Sequence, residues 1–392
     1  MASIRFDRVW KRYGPVEAVR ELSLTCDDGE MLALLGPSGC GKTSTLKMVA
    51  GVEEVSEDEI FFDGRPVSQL APAERNIAMV FEDYALYPHL SVFENIAFPL
   101  RIRRLPAAEL ERRVASALAL LGLESLRNEG VRRLSGGAQQ RVSIGRALVR
   151  DPELILFDEP LSHLDGDQKI QLRAEIKRLQ QTTGLTAILV THDQTEAIAM
   201  SDRVAVMNLG VLQQCDPPQQ LYDRPANLFV ADFIGEPPMN LLPVRLREAD
   251  GATFAAGGGW QITLASDVAN HLRRVTRSDR IILGFRPEHI ETIETGMSDE
   301  LPDSLAGRVV WTEMRGDSHV VALAPAPSGI DGAPAGGEQP VTIEVPGTSP
   351  PAIGEPIHIR VRHDLLNPFD AETGMNLFGR TGNGPSSSDP GW

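Results

Sequence analysis

Through the first half of the chain, short apolar runs alternate with stretches whose apolar residues recur at helical spacing. Residues 31–35, 77–81, 154–157, 186–190 and 203–207 are almost continuously apolar. Such runs predict strands covered on both faces, as in a mainly parallel sheet. Between the second and third runs, Leu110, Val114, Leu118 and Leu121 repeat with the period of a helix. Pro106 lies just before them and suits a first helical position. A helical block from about Pro106 to Arg150 is therefore expected among the strands. This alternation, up to about Phe233, predicts an α/β domain.

Beyond Gly235 the pattern changes. Pro237-Pro238 halts any helix, and short strand-like runs follow at 242–246, 281–285, 307–311, 319–323, 341–345 and 357–361. Their spacing predicts a small β-barrel or sandwich. Residues 324–339, rich in Ala, Pro and Gly, read as an irregular surface loop. The Gly-Ser-Pro-rich end reads as a disordered tail. The expected division is an α/β domain at 1–235 with a helical subdomain at about 85–150, a β-rich domain at 236–378 and a tail at 379–392.

Gly36-Pro37-Ser38-Gly39-Cys40-Gly41-Lys42-Thr43 lies between a predicted strand and a helix start that includes Ser44. The pattern G-x-x-x-x-G-K-[ST] in that context is a phosphate-binding P-loop. Its glycines let successive backbone N–H groups curl around a phosphate, and the helix N-terminus adds positive potential. Lys42 is placed for the β- and γ-phosphates of ATP and Thr43 for Mg²⁺. The run 154–157 ends in Asp158-Glu159. Asp158 is placed to hold Mg²⁺ and Glu159 to orient the attacking water or take its proton. Leu134-Ser135-Gly136-Gly137 opens a further helix, where a hydroxyl, free N–H groups and a positive helix end face an anion.

Composition narrows the function classes. With 38 Lys and Arg against 54 Asp and Glu, the net charge of −16 gives no electrostatic footprint for nucleic acid. Cys26, Cys40 and Cys215 are scattered without metal-ligand spacing, so no disulfide framework is expected. The first residues do not read as a secretory leader. No apolar run approaches the roughly 18 residues needed to cross a bilayer, so membrane association is expected to go through partners.

Together these motifs resemble the ATP-binding cassette (ABC) ATPases. The resemblance implies a P-loop ABC ATPase domain with an inserted helical subdomain, followed by a small all-β oligonucleotide-binding-like (TOBE) regulatory domain. It also implies head-to-tail dimers in which Ser135, Gly136 and Gly137 close over the nucleotide held by the other subunit. Leu161-Ser162-His163-Leu164-Asp165 is similar to the family's D-loop, with Asp165 near the nucleotide. Thr191-His192-Asp193 is similar to its switch-histidine segment, with His192 holding Glu159 and contacting the γ-phosphate. Tyr13 corresponds to the aromatic that stacks on adenine, with Trp10 as the other candidate.

The segments 79–89, 233–243, 284–289 and 369–374 resemble importers of maltose-type sugars and glycerol 3-phosphate; the match runs from about Ile4 to Leu377. This implies an ATPase at the cytoplasmic face of a bacterial membrane, energising import of a sugar, polyol or glycerol-phosphate-like solute. Its implied partners are two transmembrane permease subunits and a solute-binding protein, with no nucleic acid. Importers of iron, polyamine or sulfate, a soluble ABC protein and a regulatory scaffold stay open as alternatives.

Two positions depart from the family. Glu82 stands where the Q-loop glutamine is usual, and Ala138 where the signature's fifth residue is usually glutamine. Glu82 still offers Mg²⁺ an oxygen, but it adds a third carboxylate near Asp158 and Glu159, which can raise a neighbouring pKa. The working pair is accordingly either a homodimer or a heterodimer with a second ABC ATPase.

Overall fold

The computed structural model describes residues 2–249, 251–276, 278–293, 305–325, 339–347 and 351–379. Most of the expected loop at 324–339 and nearly all of the expected tail lie outside these residues. The chain divides into two compact units, Met1–Pro218 and Gln219–Trp392.

In the first unit the strands are β1 (Ile4–Tyr13), β2 (Val16–Cys26), β3 (Met31–Leu35), β4 (Glu57–Phe62), β5 (Arg65–Pro66), β6 (Ile77–Val80), β7 (Leu154–Asp158), β8 (Thr186–Thr191), β9 (Arg203–Asn208) and β10 (Val211–Asp216). They form a four-stranded antiparallel sheet, β2-β1-β4-β5, and a six-stranded sheet, β10-β9-β3-β8-β7-β6. From β9 to β6 the second sheet is parallel, and β10 closes its edge antiparallel. All five residues of β3 and all six of β8 are buried, as their unbroken apolar runs require. Each of the five runs read as a strand forms one, with ends shifted by at most a residue.

The helices of this unit are α1 (Lys42–Ala50), α2 (Val92–Ile102), α3 (Ala107–Leu120), α4 (Gly136–Leu148), α5 (Gly166–Thr183) and α6 (Gln194–Met200). The helical block starts earlier than Pro106, because α2 precedes it. Pro99 lies inside α2 and disguises the helix in the sequence, since proline removes one backbone donor. A capping box compensates at its start: Ser91 accepts from the Glu94 N–H at 3.2 Å, and Glu94 accepts from the Ser91 N–H at 3.0 Å. Pro106 is the residue before α3 rather than its first turn. Val92, Ile96, Leu100, Val114, Leu118 and Val142 share one apolar core across α2, α3 and α4.

The second unit opens with the short helix α7 (Pro218–Asp223), which starts at the division, and α8 (Leu228–Phe233). Its strands are β11 (Asn240–Ala249), β12 (Ala252–Gly257), β13 (Trp260–Leu264), β14 (Arg280–Phe285), β15 (Ile290–Ile293), β16 (Leu305–Arg315), β17 (Ser318–Pro325), β18 (Val341–Pro346), β19 (Pro356–Val361) and β20 (Asn367–Asp370), with α9 (Ser266–Val275) after β13. They make two five-stranded antiparallel sheets, β13-β12-β11-β14-β20 and β15-β19-β16-β17-β18. Leu242, Leu283, Val309, Leu323, Ile343 and Ile359 lie in their common core. The six strand-like runs read beyond Gly235 all lie within these strands.

Candidate active site

Register in the six-stranded sheet gathers the site. Leu35 of β3 lies beside Thr191 of β8, Asp158 of β7 beside Val190, and Val80 of β6 beside Phe157. The four strands therefore end together, and the segments leaving them carry the P-loop, His192, Glu159 and Glu82 along one edge. Ligands of open α/β sheets bind at this carboxyl edge.

The P-loop joins β3 to α1. Gly41 has φ 103°, and a Cβ there would lie 2.4 Å from the Ala18 carbonyl oxygen, so only glycine fits. Lys42 is 6% exposed, and its ammonium donates to the Gly36 and Pro37 carbonyls at 2.7 and 3.0 Å. A buried ammonium satisfied by loop carbonyls is a cation held ready for an anion. Ser38, Gly39 and Thr43 are exposed, Pro37 and Ser44 are half-buried, and Cys40 is buried behind them.

Beyond β7, Glu159 has φ 46°, and its N–H donates to the Val190 carbonyl at 2.9 Å. This turns its side chain towards the neighbouring strand end, where its Oε2 lies 2.9 Å from His192 Nδ1. Asp193 caps α6 by accepting from the Thr195 and Glu196 N–H groups, which fixes the turn that carries His192. Glu82, exposed in the segment after β6, faces a residue that sequence reasoning did not select: His163 Nε2 lies 3.6 Å from Glu82 Oε1. A loop histidine has no periodicity to mark it, and only the pairing of β6 with β7 brings these two loops together.

Burial holds the Asp158 carboxyl above the usual carboxylate range. Glu159 and Glu82 push it the same way, against the opposing charges of Lys47 and Lys42. Among the described residues no group of three or more His, Cys, Asp or Glu forms a metal site by itself. Strand-end carboxylates that repel one another do fit Mg²⁺, which takes one or two carboxylates and completes its shell with substrate phosphates and water.

Ser135, Gly136 and Gly137 lie at the start of α4, in the helical layer rather than in the row of strand ends. Ser135 caps α4 by accepting from the Ala138 N–H at 3.4 Å. Gly136 lies against the loop after β7, where a Cβ would come 2.8 Å from Leu164 Cδ2. Ala138 is buried. Asp165, exposed, precedes α5 as its N-cap. Tyr13, at the end of β1, is 42% exposed, whereas Trp10 is half-buried under the Arg12 guanidinium, 4.4 Å from its ring centre.

Comparison with known proteins gives the arrangement a lineage. A family model described as ABC transporter matches residues 19–162, and one described as MalK OB fold domain matches residues 235–290. The chain is 50% identical over 299 residues to the trehalose/maltose import ATP-binding protein MalK of Thermococcus litoralis, covering 74% of this chain and 79% of that protein. It is 42% identical over 392 residues to the trehalose import ATP-binding protein SugC of Mycobacterium tuberculosis, covering 96% and 98%. It is 41% identical over 382 residues to the sn-glycerol-3-phosphate import ATP-binding protein UgpC of Ruegeria pomeroyi, covering 96% and 99%. Among solved structures, cbiO1 from Clostridium perfringens, part of the ABC transporter complex cbiONQ, matches with a TM-score of 0.53 and 28% identity over 56% of this chain and 89% of that one.

Proposed function

The chain belongs to the ATP-binding subunits of ABC transporters and is an ATPase, and we propose that it energises import of a sugar, polyol or glycerol-phosphate-like solute. The observation that carries its hydrolytic half is the Glu159–His192 contact of 2.9 Å in the row of strand ends beside the P-loop. The transport half rests on similarity to named sugar and glycerol-phosphate importers over nearly the whole chain.

In this reading the P-loop N–H groups of Gly36 and of Ser38 to Ser44 receive the phosphates of ATP at the start of α1, Pro37 having none to give. Lys42 exchanges two carbonyl partners for phosphate oxygens, a charge-assisted and therefore stronger pairing. Thr43, Asp158 and Glu82 would hold Mg²⁺, which when bound would supply charge neutralisation for the phosphates. Glu159 orients the attacking water and accepts its proton, while His192 keeps that carboxylate in place and reaches the γ-phosphate. Tyr13 stacks on the adenine. Ser135, Gly136, Gly137 and Asp165 act on the nucleotide of a partner subunit, so the working unit is a dimer.

No helix among the described residues is long and apolar enough to cross a membrane. An apolar groove of about 420 Å³, lined by Ile77, Met79, Phe81, Tyr87, Phe98 and Ile102 among others, supports docking of a membrane subunit between the edge strand β6 and the helical layer. The subunit thus works at the cytoplasmic face of the membrane with two permease subunits and a solute-binding protein. Reconstitution of the chain with candidate permease and binding proteins in vesicles tests this. ATP-dependent uptake of a sugar, polyol or glycerol phosphate is expected. If the chain suffices as the sole ATPase, the pair is a homodimer; if a second ATPase is required, it is a heterodimer. Uptake of an iron complex, polyamine or sulfate instead would contradict the proposed solute class.

A further inference from the structure

Lys11 is a charged side chain that the structure keeps almost entirely from water, at 7% exposure, on a strand whose end carries the proposed adenine platform. Three partners surround its ammonium. Glu53 Oε2 lies 2.9 Å away, the Glu54 carbonyl accepts a hydrogen bond at 2.8 Å, and the ammonium sits over the Tyr13 ring, 4.7 Å from its centre. A cation within about 6 Å of an aromatic face is attracted by the ring's quadrupole, most strongly where water is excluded.

Glu53 belongs to the turn that ends the P-loop helix. Gly51 terminates α1, and the Val52 and Glu53 N–H groups donate to the Lys47 carbonyl at 3.0 and 3.2 Å. A continuous set of contacts therefore runs from α1, whose first turn would meet the phosphates, through Glu53 and Lys11 to Tyr13. The ammonium occupies one face of the ring, and Tyr13 remains 42% exposed. Glu53 also hydrogen-bonds the Tyr13 side chain, so Lys11 and Glu53 together hold a ring that would otherwise sample several rotamers and lose that freedom on stacking.

We propose that Lys11 is a positioning residue for nucleotide binding: anchored by Glu53 to the P-loop helix, it fixes the Tyr13 ring as a one-sided platform for the adenine base. The proposal rests on the reading of Tyr13 as the adenine stacker. It assigns Lys11 no contact with the phosphates.

Titration calorimetry of the full chain with ATP and with tripolyphosphate, which has no base, tests it. Lys11→Met keeps the length of the side chain and removes its charge. It is expected to weaken ATP binding roughly 2- to 12-fold, the cost of ordering one side chain on binding, and to leave tripolyphosphate binding unchanged. Lys11→Arg, which retains a cation over the ring, should recover most of the loss. Tyr13→Ala should weaken ATP binding selectively, and Lys11→Met should add little in that background. If Tyr13→Ala binds ATP as the parent does, the stacking role of Tyr13 falls, and the proposal with it. If Tyr13→Ala is weakened but Lys11→Met is not, Lys11 alone is wrongly assigned. Equal loss of ATP and tripolyphosphate in Lys11→Met would also overturn it. Should that variant not fold, Glu53→Gln at a partly exposed position removes the anchoring charge. It should shift ATP binding the same way without moving tripolyphosphate, and unchanged ATP binding would refute the proposed anchor.

Discussion

Glu82 brings a third carboxylate to a strand-end row that already holds Asp158 and Glu159, and the Asp158 carboxyl registers it. Burial is the first cause of its raised pKa, followed by Glu159 and then Glu82. An acid whose pKa is raised on folding is less favourably ionised in the folded chain. It therefore lowers stability above that pKa, and the penalty is relieved as pH falls through it. Glu82→Gln removes one of the three causes. Without nucleotide or Mg²⁺, it should raise the melting temperature at pH 7, and the gain should shrink on acidification as Asp158 takes up its proton. Because Glu82 is half-exposed, the gain should stay below about 1 kcal/mol. Scanning calorimetry at neutral and acidic pH reads it directly; a lower melting temperature at pH 7 would mean that the Glu82–His163 contact outweighs the repulsion.

Two buried arginines hold the ends of helices. Arg75, 1% exposed, donates to the Met48 and Val49 carbonyls near the end of α1 at 2.6 and 2.9 Å, and to Leu70 and Ser68 at 2.9 and 3.0 Å. Arg286, fully buried, does the same for carbonyls of Tyr222, Ala231 and Ile234 around α7 and α8. The weakly hydrated guanidinium tolerates burial where several carbonyls meet its forked donors, and a cation complements a helix C-terminus. Arg75→Met would leave these carbonyls without their donor, at a cost of about 3 kcal/mol. Urea unfolding of the first unit measures the loss, and a change below about 1 kcal/mol would show that water replaces the guanidinium. Neither arginine was legible as a core residue. Arg75 reads as one more charge after Pro72-Ala73-Glu74, because the sequence does not show which carbonyls will converge on it. The strands, by contrast, were legible, since a buried strand must be apolar along its length, and the P-loop was legible because its chemistry is local. Helix α2 was hidden by Pro99, and the Glu82–His163 contact by its dependence on strand order.

At the scale of the molecule, the sites divide between the units. The P-loop, the Glu159–His192 contact and the signature helix all lie within Met1–Pro218. The second unit contributes two antiparallel sheets and none of the residues assigned to catalysis. We assign hydrolysis to the first unit and propose that the second serves dimerisation or regulation. The sequence division at Gly235 follows the change in residue pattern, whereas the compact units part at Pro218, because α7 and α8 pack with the strands that follow. Arg286 on the segment after β14 binds the carbonyls of both helices, which accounts for that difference. The central claim is that Glu159, held by His192, makes this chain an ATPase rather than a nucleotide-binding scaffold. The most direct test is phosphate release from ATP by the full chain and its Glu159→Gln variant, at equal and confirmed nucleotide occupancy. Removing a positioned general base should slow release at least about 100-fold while ATP stays bound. Near-parental phosphate release by the variant would contradict the account.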